Sequence, residues 1–390
     1  MTEHNLMTPV SHVAYPVPPP PRRRRTPWVV GAAVGLILTL VVAVGAALIG
    51  RAVQPSARFQ LGGAGASGRT SAETPATTNG TDVTARVNPG MVDINTVLGY
   101  QNAAAAGTGI VLSTDGLVLT NNHVIAGATR ISATDVGNGQ TYAASVVGYD
   151  RTEDVAVLKL SDASGLTVAP LGDSSGVSEG DGVVAIGNAG GTGGTPTSVS
   201  GTVTALNRSI TAQDRSTGTS EELTGLIEVT AAIEPGDSGG PLASTSGEII
   251  GMNTAASEGF RYQTTTGTGY AIPINQAIAI ANEIEAGNGS ATVHIGETAF
   301  LGIQTGTLAR SGSVDGALVL GVLSGSSAED AGLSSRDVIE YLNGQRVHSP
   351  TALTELLDRY HPGDRLTIRW TDGAGQAHSG TVVTTTGPVG

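Results

Sequence analysis

Short apolar runs separated by turn residues constrain the fold of this chain more than any other feature. From residue 83 onward, runs of four to eight residues rich in β-branched side chains end at Gly, Asn or Asp. They lie at 91–97, 109–112, 117–120, 143–147, 155–160, 183–186, 199–206, 226–229 and 248–252. The 56 glycines in 390 residues disfavour a bundle of long helices, because each interior helical Gly costs roughly 1 kcal/mol relative to Ala. The pattern predicts a sandwich or barrel of short strands, with one helix at 273–286.

The first 82 residues lack this pattern. Residues 1–27 are rich in Pro and Arg, 28–50 carry no charged side chain, and 51–82 are rich in Gly, Ser and Thr. An apolar helix of 22 residues from Trp28 to Ile49 would be about 33 Å long, and the hydrocarbon core of a bilayer is about 30 Å. Four Arg precede it, which predicts a cytoplasmic N-terminus. We therefore expect a cytoplasmic tail at 1–27, a single-pass membrane anchor at 28–50 and a flexible linker at 51–82. A cleavable signal peptide is the alternative.

Composition excludes several function classes. The absence of Cys excludes disulfide frameworks, thiolate zinc sites and Cys nucleophiles. A formal net charge of −13 disfavours a nucleic-acid partner. Lys159 is the only lysine, so a Walker phosphate loop is missing, and the glycine-rich stretch at 187–191 is followed by Pro196 instead of a helix. We expect no cofactor and no bound metal.

The strongest local signal is the sequence GDSGGP at 236–241. A serine flanked by glycines can expose its hydroxyl, and the surrounding backbone N–H groups can converge on one point, as acyl transfer requires. A tight glycine-rich turn is the alternative interpretation. The spacing Gly236-x-Ser238-x-Gly240 also matches the nucleophile elbow of α/β-hydrolases. That fold needs Asp and then His after the serine on a helix-rich sheet, whereas β runs surround this serine.

A base and an orienting carboxylate follow by exclusion. His123 is the only histidine between residues 83 and 290, so it is the only candidate base in the domain that contains Ser238. Asp154 directly precedes the run at 155–160, where a carboxylate can be buried and fixed. Asp150 competes for this role, but its Gly-Tyr-Asp-Arg setting is more typical of a turn aspartate. The resulting order of His123, Asp154 and Ser238 is that of chymotrypsin.

Four motifs in this order resemble the HtrA (DegP-like) serine proteases, especially the actinobacterial PepA-type members. They are TNNHVI at 120–125, DVAVLKL at 154–160, GDSGGPL at 236–242 and GYAIPIN at 269–275. The resemblance spans about residues 83–385. It implies an all-β, chymotrypsin-like double β-barrel at 83–290 and one α+β PDZ domain at 291–390. It further implies a homotrimeric serine endopeptidase that degrades unfolded or misfolded envelope proteins. A chaperone or binding protein with little proteolysis is the alternative.

The resemblance also assigns roles to residues. Ser238 would be the nucleophile, His123 the base and then the acid, and Asp154 the group that holds the imidazole tautomer. Gly236 and Ser238 would supply the oxyanion hole, with Asp237 between them. Residues expected to bind substrate are Ala231, Ala232, Ile233, Asn253, Thr254 and Ala255. No carboxylate is evident among them, so a small aliphatic residue is expected before the cleaved bond.

The C-terminal unit carries a second expected binding site. Phe300, Leu301, Gly302 and Ile303 resemble a PDZ carboxylate-binding loop, whose N–H groups would hold the C-terminus of a peptide that adds a strand to the sheet. Strands are predicted at 300–305, 317–323, 338–342 and 366–370, and a helix at 350–360. The chain departs from the family at three positions: Asp237 stands where Asn is usual, Thr230 where Asp is frequent, and Arg336 where Gly is usual.

Overall fold

The computed structural model describes residues 80–214, 220–254, 260–262, 267–306 and 315–389. The helices are α1 (Gly80–Val87), α2 (Asn122–Ile125), α3 (Ile274–Glu285), α4 (Ser327–Asp330) and α5 (Pro350–Leu357). The predicted tail and anchor, and all but the last residues of the predicted linker, lie outside the described residues. No helix within the described ranges combines the length and apolar character needed to span a bilayer.

A first closed sheet contains strands β1 to β6. These are Met91–Leu98, Ala103–Val111, Leu117–Thr120, Arg130–Asp135, Thr141–Asp150 and Val155–Leu160. They follow the order β5-β4-β1-β2-β3-β6, and β6 pairs back with β5, which closes the sheet into a barrel. Its interior is filled by fully buried aliphatic side chains such as Ile94, Val118 and Leu158. The runs predicted at 117–120 and 155–160 coincide with β3 and β6.

A second closed sheet contains strands β7 to β13. These are Gly182–Gly187, Thr197–Asp214, Ser220–Val229, Pro241–Ser244, Ile249–Thr254, Phe260–Tyr262 and Gly269–Pro273. The order β8-β7-β10-β11-β13-β9 closes through pairing of β8 with β9, and β12 adds to β8. The prediction of an all-β barrel fold is therefore confirmed. The two barrels are formed by two consecutive stretches of the chain, 91–160 and 182–273.

A hydrophobic layer joins the two barrels. It contains Met91 and Ile110 from the first barrel and Ile186 and Met252 from the second. Helix α3 adds the buried side chains Ile274, Ala277, Ala281 and Ile284, whose spacing of three and four residues places them on one face. Helix α1 also contributes Val83 and Val87. It begins at Gly80, inside the stretch predicted to be linker.

The C-terminal unit forms a separate sheet. Its strands β16 to β21 are Ile303–Gly306, Ala317–Val322, Val338–Leu342, Gln345–Arg346, Arg365–Thr371 and Ala377–Val383. The order is β16-β17-β18-β20-β21, with β19 paired to β18. Helix α5 buries Leu353 and Leu356 in the core of this unit. Arg336, which replaces the usual glycine of the family, adopts the left-handed backbone conformation with φ +82°.

Two details differ from the sequence predictions. Strand β14 (Val293–Ile295) pairs with β5 of the first barrel, so the predicted boundary at 290/291 assigns a strand of the first barrel to the C-terminal unit. The strand predicted at 300–305 is two strands, β15 (Ala299–Phe300) and β16, because the chain turns at Gly302 with φ +80°. β15 pairs with β22 (Thr385–Thr386).

Candidate active site

Asp154 and His123 meet at the ends of two paired strands. Thr120 ends β3 and pairs with Ala156 in β6, so the residues that follow β3 and precede β6 are neighbours. The backbone N–H of His123 donates to Asp154 Oδ1 at 2.9 Å, and His123 Nδ1 lies 2.8 Å from Asp154 Oδ2. Asn121 Nδ2 donates to the Asp154 carbonyl at 2.9 Å. Both the side chain and the backbone of Asp154 are therefore fixed, in a left-handed conformation with φ +53°.

Ser238 completes the line of hydrogen bonds. Its Oγ lies 2.9 Å from His123 Nε2. Because Nδ1 faces a carboxylate, the ring proton belongs on Nδ1, and Nε2 is left to accept the serine hydroxyl proton. Thr254 Oγ1 donates to Asp154 Oδ2 at 3.2 Å. Ser238 is 3% exposed and the His123 side chain 7%. The arrangement can raise the nucleophilicity of a buried hydroxyl.

Thr108 in β2 holds the serine loop against the first barrel. Its N–H donates to the Ser238 carbonyl at 2.8 Å, and its hydroxyl donates to the Gly236 carbonyl at 2.8 Å. The same hydroxyl accepts the Asn188 N–H at 2.9 Å, and Thr120 Oγ1 donates to the Thr108 carbonyl at 2.7 Å. Thr108 could not be found from the sequence, since a lone threonine inside a strand carries no motif signal.

Gly236 shapes the loop in front of the serine. It has φ +101°, and a Cβ at this position would lie 2.1 Å from the Asn188 carbonyl oxygen. The Pro235 carbonyl accepts the Gly190 N–H at 2.8 Å. Because the N–H and C=O of a trans peptide point in opposite directions, the Gly236 N–H is directed away from Gly190. Only glycine fits this turn.

A cleft of about 520 Å³ opens at these residues. His123, Gly236 and Ser238 lie in its wall, together with the small side chains of alanines 104–106 from β2. Val124, which follows the histidine, and Pro235 also line it. Ser238 and His123 therefore face a space that could admit a peptide segment.

The six residues predicted to bind substrate lie in different environments, and two of them have side chains that support the fold. Asn253 is fully buried, and its Nδ2 donates to the Ile186 and Pro241 carbonyls at 3.1 Å each, so its side chain supports the second barrel. Thr254 contacts Asp154, as described above. Both side chains thus hold neighbouring residues of the site in place.

The other four residues predicted to bind substrate are considered by how exposed their side chains are. Ala231 is fully buried, Ala232 is exposed, and Ile233 is partly buried against the second barrel. Ala255 lies outside the described residues. The walls of the 520 Å³ cleft, as far as the described residues define it, include none of the six.

Asp237 is buried directly before the serine. It is 5% exposed, and its Oδ2 accepts the Glu234 N–H at 2.9 Å. Its Oδ1 is buried and has no hydrogen-bond partner among the described residues. Burial raises the pKa of Asp237 to about 6, the Glu234 N–H opposes this, and the Glu234 charge adds to it. An ionised Asp237 is therefore poorly solvated.

Asp150 and His294 have structural roles outside this group of residues. Asp150 Oδ1 accepts the Thr152 hydroxyl at 2.7 Å and the Glu153 N–H at 3.1 Å, which makes it a turn aspartate. His294 lies in β14, and its two ring nitrogens face the backbone carbonyls of Asp358 and Glu297 at 2.6 and 3.1 Å. None of these four contacts involves Asp154, His123 or Ser238.

The four residues predicted to form a carboxylate-binding loop lie together at one end of β16. Phe300 ends β15, Leu301 is buried, and Gly302 makes the turn into Ile303. A Cβ at Gly302 would lie 2.3 Å from the Ser326 Cβ, so this turn also requires glycine. The loop therefore has a backbone that no other residue type would adopt without displacement of a neighbour.

A groove of about 220 Å³ follows this loop between β16 and α5. Phe300, Leu301 and Ile303 line it from the loop and strand, and Leu353 and Leu357 line it from the helix. In the described residues β16 pairs with β17 alone, so its other edge carries backbone groups available to an added strand.

Comparison with known proteins gives a consistent set of relatives. The trypsin-like peptidase domain family matches residues 107–252. The chain is 33% identical over 381 residues to the serine protease PepD of Mycobacterium tuberculosis, which covers 92% of this chain and 78% of that protein. It is 37% identical over 276 residues to the periplasmic serine endoprotease DegP of Escherichia coli K12, which covers 69% of this chain and 54% of DegP.

Two further similarities complete the set. A probable periplasmic serine endoprotease, DegP-like, of Chlamydia trachomatis is 36% identical over 276 residues, covering 69% of this chain and 52% of that protein. The chain thus spans about half the length of these DegP-like relatives. The solved HtrA-type protease AlgW with tripeptide is 30% identical, with a TM-score of 0.45 over 78% of this chain and 96% of that one. From its identity to PepD over most of both chains, we conclude that the chain belongs to the HtrA family of trypsin-like serine proteases.

Proposed function

We propose that this chain is an extracytoplasmic serine endopeptidase of HtrA type. The observation that carries the proposal is the continuous line from Asp154 Oδ2 to His123 Nδ1 and from His123 Nε2 to Ser238 Oγ, with contacts of 2.8 and 2.9 Å at the wall of a cleft. These are the distances at which a base can take the proton of a nucleophile.

In the proposed mechanism, Ser238 Oγ attacks the carbonyl carbon of the substrate while its proton moves to His123 Nε2. Asp154 accepts the Nδ1–H throughout and stabilises the imidazolium without taking the proton. The imidazolium then protonates the leaving amine, and the C–N bond breaks to give an ester on Ser238. Water attacks the ester, with His123 as its base, and regenerates the serine hydroxyl.

The oxyanion of both tetrahedral intermediates would be held by backbone donors. We assign the N–H groups of Gly236 and Ser238 to this role, with Asp237 between them. The two carbonyls fixed by Thr108 and the Pro235 carbonyl fixed by Gly190 support this assignment, because they set the orientation of the peptides around the serine in advance. Preorganised donors of this kind are usually the largest contribution to such catalysis.

We propose small aliphatic side chains before the cleaved bond. Of the residues that line the cleft in the described part of the chain, none is acidic or basic apart from His123, and most are Ala, Gly or Pro. Ala232, Ile233 and Ala255 are the three of the six predicted residues that remain candidates for substrate contact, since Ala231, Asn253 and Thr254 are buried in the fold.

The finer aspects of function are also proposals. The C-terminal unit would act as a PDZ domain in which Phe300, Leu301, Gly302 and Ile303 hold a peptide C-terminus, and the apolar groove beside β16 supports this. Residues 28–50 would anchor the chain in the cell membrane with the protease outside. Relatives named periplasmic proteases support that location. A homotrimer and the degradation of misfolded envelope proteins are proposed on family membership.

Cleavage of unfolded casein by the full-length chain tests the proposal. We expect that Ser238→Ala reduces the cleavage rate on the order of 10³-fold or more, because it removes the nucleophile. Ser244→Ala is the matched control and should retain the wild-type rate, because the Ser244 hydroxyl bonds Ser246 and the Glu248 N–H at an exposed turn. Equal cleavage by wild type and Ser238→Ala would contradict the assignment. Binding of casein without cleavage by either would favour the chaperone alternative.

A further inference from the structure

The last described residues of the C-terminal unit extend to the first barrel. β22 pairs with β15, and the chain then continues to Val389. The Val389 N–H donates to the Ala128 carbonyl at 2.9 Å, and the Val389 carbonyl accepts the Gly127 N–H at 2.7 Å. We call residues 385–389 the strap, because they hydrogen-bond the C-terminal unit at one end and the first barrel at the other.

The strap contacts the first barrel directly behind the histidine. Gly127 and Ala128 follow α2, the single helical turn that contains His123, and the Ala128 N–H donates to the Ile125 carbonyl at 3.0 Å. The Val389 side chain packs against the core cluster that includes Val124 and Ile125. One helical turn is not stable by itself, so its position depends on the contacts that hold its ends. The strap supplies two such hydrogen bonds.

We propose that Val389 is a positioning residue for His123, acting through residues 127–128. The two hydrogen bonds that join Val389 to Gly127 and Ala128, directly after the helical turn that contains His123, are the observation that carries the proposal.

The test uses Val389→Asp in the full-length chain, with Val389→Ala as a milder second variant. A carboxylate at this partly buried position would have to leave the apolar cluster, which detaches the strap. We expect kcat on a short peptide substrate to fall about tenfold, since displacement of a catalytic group by about 1 Å can cost 10²-fold, with KM unchanged. The pH midpoint of Ser238 labelling by a fluorophosphonate should also shift, because the imidazole moves relative to Asp154.

Val383→Asp is the matched control, a valine at the end of β21 that is 42% exposed. It should keep the wild-type kcat and pH midpoint. If Val389→Asp unfolds, Val389→Ala should still lower kcat at an unchanged KM. A folded Val389→Ala and Val389→Asp with the kcat and pH midpoint of the control would overturn the proposal.

Discussion

Two buried aspartates lie at this site, Asp154 beside His123 and Asp237 directly before Ser238 in the chain. They differ in how many hydrogen bonds their carboxylates accept. Asp154 accepts hydrogen bonds from the His123 backbone, the His123 ring and the Thr254 hydroxyl, at 2.8 to 3.2 Å. Asp237 accepts one, from the Glu234 N–H, and its second oxygen has no partner among the described residues. Both are about 5% exposed, so water does not compensate for the difference.

The comparison shows that position beside the serine does not by itself define a catalytic carboxylate. Three donors hold the Asp154 carboxylate beside the imidazole, where the proposed mechanism needs it. Asp237 has one donor, the Glu234 N–H, and its burial raises its pKa to about 6. We infer that the contacts of Asp154 orient its carboxylate toward His123, whereas ionisation of Asp237 costs the fold stability.

The largest effect should come from Asp154→Asn. An amide cannot hold the Nδ1–H tautomer of His123 or stabilise its charged form, so we expect kcat to fall on the order of 10⁴-fold with little change in fold. Steady-state kinetics on a peptide substrate and circular dichroism measure the two. Asp150→Asn, which alters the neighbouring turn aspartate, should retain kcat within about tenfold. A smaller loss for Asp154→Asn than for Asp150→Asn would reverse the assignment.

A smaller effect is expected for Thr254→Val, which removes one of the three donors to Asp154. Hydrogen bonds to charged groups contribute about 1.5–3 kcal/mol, and 1.36 kcal/mol corresponds to a tenfold change in rate. We expect kcat/KM to fall roughly tenfold. Thr134→Val, whose hydroxyl pairs with Thr141 at an exposed position, is the control. Kinetics of Thr254→Val that match this control would show that the hydroxyl does not support Asp154.

The smallest effect concerns stability and comes from Asp237→Asn. Because the folded pKa of Asp237 is raised to about 6 from 3.8, the native state binds its proton more tightly than the unfolded state. Stability is therefore lost as pH rises from about 4 to about 6, and stays lower above that. The neutral Asn removes this cost, so the variant should gain thermal stability relative to wild type at pH 7 and show no gain at pH 4.

Asp173→Asn provides a control of opposite sign. The pKa of Asp173 is lowered by the Ser175 backbone N–H and by Asn275, so its ionised form stabilises the fold above its unfolded pKa and that contribution is lost at low pH. This variant should lose stability at pH 7. Thermal unfolding midpoints at pH 4, 5, 6 and 7 measure both variants. A loss of stability at pH 7 for Asp237→Asn would contradict the contrast between the two aspartates.

Much of the fold could be predicted from the sequence where apolar runs are continuous and bounded by turn residues. β3, β6 and β18 match their predicted bounds for this reason. Prediction was less accurate where pairing alone maintains a strand. The apolar run at 199–206 predicts only part of β8, which spans Thr197–Asp214. The strand is longer because it pairs with β7 and β9 along polar stretches that have no apolar run.

The residues of the candidate site likewise differ in whether the sequence carries a local signal for them. The sequence predicts that His123, Asp154 and Ser238 lie together, since a histidine without competitors, an acidic residue before a strand and a glycine-flanked serine each carry a local signal. Thr108 and Val389 carry none. Thr108 bonds Gly236 and Ser238, and Val389 bonds Gly127 and Ala128. Each of these contacts joins residues more than 100 positions apart, so it exists only after the two barrels and the C-terminal unit have packed.

The most direct test of the account is mass-spectrometric mapping of a fluorophosphonate adduct on the full-length chain. Only a serine whose proton is taken by a neighbouring base reacts readily with this reagent. We expect one adduct, on Ser238, that forms faster as pH rises and His123 loses its proton. An adduct on another serine, or none on Ser238 at any pH, would contradict the assignment of His123, Asp154 and Ser238.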